Sequence, residues 1–282
     1  AKALMMAREN IFSPANAQPI TVPNREMALG CYFLTFIDET DSQKNLQFFA
    51  LPEDAVRAFT LGKIGVQQKI QARVNNEIIE TSVGRILFNQ VLPPQMRFLN
   101  SAIKGFTIRD IILKAMETLG KDETTELIDH IKDIGFWGAT IAGISISIFD
   151  AKVVPDKNKY LDRAIEEIET IEKNTAKGLI TPQEKSQLAQ MVWIKVTEEL
   201  ANATWDYLGL TNPIRMMVEA GARGSRDQAK QLSAMRGLST DPTGKIVELP
   251  TKSNYRQGLS VFEYFTSARG ARKGVADKAL KT

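Results

Sequence analysis

The chain has 282 residues and a formal net charge of +3, so it is long enough to bury real cores, and charge alone assigns no acidic partner. Its single cysteine, Cys31, excludes a disulfide framework and a cysteine-rich zinc site, and reads as a small buried hydrophobe of a reducing compartment. There is neither a basic-then-apolar leader nor an apolar run able to span a bilayer, so a cytosolic protein is expected, and the start at Ala1 without methionine reads as an excised piece.

Residues 1–36 open helically and break at IFSPANAQPITVPN, where three prolines forbid a continuous helix or a central strand; a connector with one short strand is expected. From Leu51, PEDAVRAFTLG predicts a helix, and VQQKIQARV and EIIETSVGRIL alternate as paired strands do, which gives a small mixed subdomain. Thr107 is the expected cap of TIRDIILKAMETLG, and Asp122 opens the helical DETTELIDHIKDIGFWGAT.

Leu161, Ala164, Ile168, Ile171 and Thr175 recur at three- and four-residue steps, as do Ala189, Val192, Val196, Leu200, Ala203 and Tyr207. Between them Gly178 stops one helix, and Thr181 and Pro182 cap and begin the next, so an antiparallel hairpin with arms of about 30 Å is predicted. Its narrow seam suits either a projecting hairpin with an accessible tip or two helices of a bundle. After Pro213 come MMVEAGARGSRDQAKQLSAMRGL, a turn at DPTGK, and a helical pattern over residues 254–282 that contains Gly270 and Gly274 and has no stop signal. The expected fold is mainly α with a minor β component (α+β), in several subdomains, with a projecting antiparallel helical hairpin and a long C-terminal helix.

The segment Gly221 to Arg226 joins two glycines and two guanidinium groups at the start of a helical pattern, which suits a phosphate or, equally, a solvated turn. Arg269, Arg272 and Lys273 share a face of the terminal helix, with Lys278 and Lys281 off it; the set fits a nucleic-acid backbone or a plain solvated face. Two glycines inside one helix each cost about 1 kcal/mol relative to alanine, more than a purely structural helix has reason to carry. His130 has no second histidine with which to share a metal, Glu166, Glu167, Glu169 and Glu172 read as the wet side of the hairpin, Phe262 and Phe265 as core contacts, and the Met5-Met6 and Met216-Met217 pairs as filler packing. No catalytic constellation is visible.

Four ordered stretches carry a resemblance: SVGRILFNQVLP from Ser82, IKDIGFWGATIAGISISIFD from Ile131, AGARGSRDQAKQLSAMRGL from Ala220 and GLSVFEYFTSARGARKGVADKALKT from Gly258. Together with IFSPANAQPITVPNREMALGCYFLT near the start, they make the whole chain resemble the beta-prime subunit of bacterial-type multisubunit DNA-directed RNA polymerase. The resemblance implies residues 1–50 as the end of the active-site domain, 51–105 as a pore subdomain, 106–218 as a funnel whose rim is the hairpin at about 158–208, and 219–282 as an active-centre loop with the N-terminal part of the bridge helix.

On that map, nucleoside triphosphates would enter through the secondary channel past Arg223, Gln231, Met235 and Arg236, with Arg223 near the triphosphate. Arg272, Lys273, Lys281 and Thr282 would meet template DNA, Gly270 and Gly274 would be bridge hinges, and Lys177, Gly178, Leu179, Thr181 and Glu184 would form a docking tip for Gre-type cleavage factors and other channel regulators. The implied partners are the beta and alpha subunits, template DNA and the RNA–DNA hybrid, without a membrane; the implied location is the cytoplasm at the nucleoid, with a plastid as the alternative. The family's NADFDGD loop, its zinc cysteines and its trigger loop are missing from the sequence, so no catalytic residue or cofactor is assigned here; Mg2+ and Zn2+ belong to the complete subunit, and this stretch alone would be inactive. Arg269 stands where histidine is expected and Lys278 where threonine is expected. The competing classes are a helical scaffold with a basic terminal helix and a small phosphate-handling enzyme built on Gly221 to Arg226.

Overall fold

A computed structural model describes residues 2–37 and 46–281. Two compact units emerge, Ala1–Ser145 with Met216–Gly224, and Ile146–Arg215 with Ser225–Thr282. Helices dominate both, as expected, and one small sheet lies in the first.

In the first unit, α1 (Lys2–Met5) precedes the proline-broken connector, whose expected strand reduces to a single bridge between Phe12 and Pro19. Met5 and Met6 are exposed, not filler packing. The connector ends earlier than the sequence suggests, because α2 (Glu26–Thr35) is a helix. It shows no helical periodicity because it is enclosed on most sides, with Ala28, Cys31, Tyr32, Leu34 and Thr35 all buried. The close fit requires glycine: a Cβ on Gly30 would fall 1.8 Å from the Gly135 carbonyl oxygen of α6 (Lys121–Ala142). Burial pushes the Cys31 thiol up to about 12, which keeps it protonated and inert.

The sheet has the order β1 (Phe48–Phe49), β2 (Lys69–Val74), β3 (Glu77–Ser82), with β1 parallel to β2 and β2 antiparallel to β3. The two-residue turn at Asn75 and Asn76 has φ of 50° and 67°, the left-handed pair a tight hairpin needs and asparagine tolerates. α3 (Pro52–Thr60) starts on its proline. The second alternating segment is only half strand: at Ser82 the hydroxyl accepts from Arg85 N at 3.3 Å, and α4 (Val83–Val91) begins there. α5 (Gly105–Leu119) starts two residues before Thr107, whose hydroxyl instead accepts from Lys104 N at 3.4 Å from inside the first turn. Phe88, Ile103, Ile108, Ile112 and Ile131 close the core around Cys31.

In the second unit, α7 (Lys157–Ala176) and α8 (Pro182–Leu208) form the hairpin. Both readings of it hold in part. Its base, with Leu161, Ala164, Trp193, Val196 and Leu200, packs on Ala234 and Met235, whereas its turn is exposed. The seam departs from the expected spacing at its end, where Tyr207 is 48% exposed and Leu208 is buried. α9 (Pro213–Glu219) carries the chain across the unit boundary, and α10 (Arg226–Ser233) and α11 (Val261–Lys281) complete the fold.

The terminal helix is shorter than the pattern over 254–282 suggests. Ser260 and Glu263 exchange a capping box, Glu263 N donating to the Ser260 hydroxyl at 3.3 Å and Ser260 N to the Glu263 carboxylate at 3.0 Å. Phe262 and Phe265 are 66% and 69% exposed, so they are not the core contacts expected.

Candidate functional site

The loop with two arginines sits between α9 and α10. Gly221 and Gly224 have φ of 69° and 86°, a left-handed backbone that admits glycine freely, and Arg223 between them is exposed. Within the first unit the loop's approach is fixed: Gly105 N donates to the Ala220 carbonyl at 2.9 Å, and the Lys104 ammonium meets Glu219 at 2.7 Å. Ser225 then caps α10, accepting from Gln228 N at 3.2 Å. Arg226 is exposed too, and its guanidinium lies 4.9 Å from the Trp205 ring centre.

α10 and the residues that follow it carry the next candidates. Gln231 is half-buried, and its carbonyl accepts from Tyr255 N at 3.1 Å. Met235 is fully buried, its sulfur 3.6 Å from the Thr197 hydroxyl, so it backs the segment from the core instead of facing solvent. Arg236 is half-buried with its guanidinium 5.6 Å from the centre of the Tyr255 ring. Sequence reasoning missed Asn254. It is fully buried, and its amide donates to the carbonyls of Ser233 at 2.8 Å and Ala234 at 3.1 Å. Its one sequence signal was an asparagine placed three residues before Gln257, whose N–H it accepts at 2.8 Å in a local turn.

On α11, Arg272, Lys273 and Lys281 are exposed, and Thr282 lies outside the described residues. The shared basic face is partly occupied, because Lys273 donates to the Pro242 carbonyl and Arg269 lines a cleft with Asp241, Val247, Phe262, Phe265 and Thr266. The two glycines differ. A Cβ on Gly270 would stand 2.0 Å from the Thr240 carbonyl oxygen, and one on Gly274 would meet nothing within 4 Å. Close packing therefore gives Gly270 the structural reason that sequence reasoning denied it.

Beneath the start of this helix, Ser253 N and hydroxyl reach Glu263 at 3.1 and 2.8 Å. Burial pushes the Glu263 carboxyl up, but the hydrogen bonds from Ser260 and Ser253 outweigh it and hold the group at about 2. Burial likewise pushes the Lys157 ammonium down to about 8, partly offset by Glu263, while Lys157 donates to the Gln257 side chain at 2.7 Å.

At the hairpin turn, Lys177, Gly178, Leu179, Thr181 and Glu184 are all exposed. Thr181 and Glu184 form a capping box, Thr181 N donating to the carboxylate at 2.8 Å and Glu184 N to the hydroxyl at 3.2 Å. The bond from Thr181 N and a second from the Thr181 hydroxyl at 2.9 Å hold the Glu184 carboxyl below its usual range. Lys185 pairs with Glu172 at 2.9 Å behind the tip.

Among the described residues, no group of three or more His, Cys, Asp or Glu side chains is placed to hold a metal ion, and no helix is long and apolar enough to cross a membrane. His130 and the glutamates 166, 167, 169 and 172 are exposed.

Fold and surface together define a helical scaffold that presents an arginine-bearing loop, a capped hairpin tip and an exposed helix. The family model for RNA polymerase Rpb1, domain 3, matches residues 10–151, and that for RNA polymerase Rpb1, domain 4, matches residues 160–263. The chain belongs to the RNA polymerase Rpb1 family. It is 39% identical over 288 residues to the DNA-directed RNA polymerase subunit beta' of Thermosipho africanus, covering 100% of this chain and 18% of that protein. Identity to the same subunit of a Sulfurihydrogenibium species is 41%, over 99% of this chain and 18% of the relative; for a Thermoanaerobacter species it is 38%, over 100% and 26%. The chain thus spans 18 to 26% of the length of these relatives.

Proposed function

We propose that the chain is part of the beta-prime subunit of a DNA-directed RNA polymerase and works in DNA-templated RNA synthesis by shaping the secondary channel through which nucleoside triphosphates enter. The observation that carries this reading is Arg223, held exposed between two left-handed glycines on a chain that aligns along its whole length with beta' subunits. A guanidinium so placed can fork onto triphosphate oxygens at little cost in ordering. Gln231 and Arg236 continue the path, with Met235 supporting them from the core. α11 serves as the N-terminal part of the bridge helix beside template DNA and the RNA–DNA hybrid, through Arg272, Lys273, Lys281 and Thr282, and flexes at its glycines. The hairpin tip is the docking point for Gre-type cleavage factors and other channel regulators. The polymerase's beta and alpha subunits are its partners, and the cytoplasm at the nucleoid is its place.

A charge-assisted contact contributes about 1.5–3 kcal/mol. In the assembled polymerase, Arg223→Ala should therefore raise the nucleotide KM by roughly 10- to 150-fold while template binding stays unchanged. Steady-state elongation rates across nucleotide concentrations measure this, and an unchanged KM rejects the role of Arg223.

A further inference from the structure

Resting on the substrate path just described, one buried side chain stands out because it touches no solvent and yet organises two path residues, Gln231 on α10 and Arg236 just after it. α10 ends abruptly at Ala234, where φ and ψ are both −92°, so the carbonyls of its last turn cannot be taken up by a continuing helix. The segment around Asn254 supplies the missing donors. The Asn254 amide gives one hydrogen to Ser233 O at 2.8 Å and another to Ala234 O at 3.1 Å. Tyr255 N and Arg256 N continue the series onto Gln231 O at 3.1 Å and Leu232 O at 3.2 Å. In the opposite sense, Arg236 N donates to Ser253 O at 3.1 Å, and the Arg236 guanidinium lies over the Tyr255 ring. Four consecutive carbonyls, residues 231 to 234, are thus capped by one short segment, and the only side chain among those donors is that of Asn254.

We propose that Asn254 is a positioning residue for nucleotide entry: its amide terminates α10 and thereby fixes the backbone from which Gln231 and Arg236 reach the incoming triphosphate. Two donors and one acceptor are required of a single buried group of this size, and asparagine is the side chain that provides them. An aspartate of the same shape keeps the acceptor for Gln257 N but turns oxygen toward two carbonyls, which removes both donations without opening a cavity.

The test is a cycle in the assembled polymerase, comparing the parent with Arg236→Ala, Asn254→Asp and the double variant. Asn254→Asp should raise the nucleotide KM about tenfold with kcat within about twofold of the parent, as expected for loss of a buried donor pair that acts on binding. The double variant should exceed Arg236→Ala by clearly less than the roughly tenfold that Asn254→Asp gives alone, because part of the Asn254 effect runs through the placement of Arg236 and only the remainder through Gln231. A fall in kcat at constant KM, or fully additive effects, overturns the proposal and leaves the entry path standing. An unchanged KM in Arg236→Ala removes that residue from the path, and the proposal falls with it. Should Asn254→Asp fail to assemble, Asn254→Ser, which retains one donor, must give a smaller rise in KM with the same lack of additivity; no rise counts against the proposal.

Discussion

Gly270→Ala should destabilise the second unit by about 1–3 kcal/mol, whereas Gly274→Ala, four residues further along the same helix, should stabilise it by up to about 1 kcal/mol. The opposite signs follow from what each new methyl group meets. At Gly270 it would lie 2.0 Å from the Thr240 carbonyl oxygen, a backbone atom in a turn braced by Asp241, whose carboxylate accepts from Thr243 N at 2.7 Å and Lys245 N at 3.1 Å. Lys273 also reaches the Pro242 carbonyl, so the helix cannot move aside without giving up that bond. At Gly274 there is open space, and alanine simply removes backbone freedom from the unfolded chain. Urea unfolding of the 282-residue chain and its two variants reads both effects. Shifts of the same sign would show that the Thr240 contact does not hold the helix. On the proposal that α11 is part of the bridge, its flexing would belong chiefly to Gly274, and elongation should slow in Gly274→Ala although stability rises.

Replacing residues 177–181 with a glycine-serine linker of equal length should abolish factor-stimulated transcript cleavage while basal elongation continues at the parent rate. The tip offers an exposed Leu179, at 70% of its full accessibility, beside the exposed Lys177 and Glu184. Behind it, the Lys185–Glu172 pair and the buried Leu161, Ala164, Trp193 and Val196 hold the arms together, so the change is confined to the turn. Loss of the Thr181 cap alone removes about 1 kcal/mol of local helix stability and should weaken stimulation only partly. Stimulation at the parent level in the linker variant would exclude the tip as the docking point.

Elements whose polar and apolar faces alternate regularly were legible in the sequence. The hairpin, the β2–β3 pair and α3 announce themselves through spacing, proline and glycine. α2 did not, because a helix surrounded by other elements has no wet face, and its contact with α6 depends on Gly30, whose reason lies 105 residues away at Gly135. The start of α11 is legible in Ser260 followed by Glu263, the capping signature, although the helical pattern in the sequence runs back to Asn254. At the candidate site, Arg223 could be found from its flanking glycines. Asn254 and the burial of Met235 could not, since the first depends on a segment some twenty residues distant returning to the end of α10 and the second on packing against the base of the hairpin. The exposure of Phe262 and Phe265 was equally hidden, because an aromatic at helical spacing looks the same whether it faces a core or open solvent.

The most direct measurement is photo-crosslinking in the assembled polymerase with a nucleoside triphosphate carrying its reactive group on the γ-phosphate, followed by mapping of the labelled peptide. Label should fall on the loop from Gly221 to Arg226, compete with unmodified nucleotide and fall sharply in Arg223→Ala. Label confined to other segments, or undiminished without the Arg223 side chain, would contradict a role for this chain in guiding substrate to the active centre.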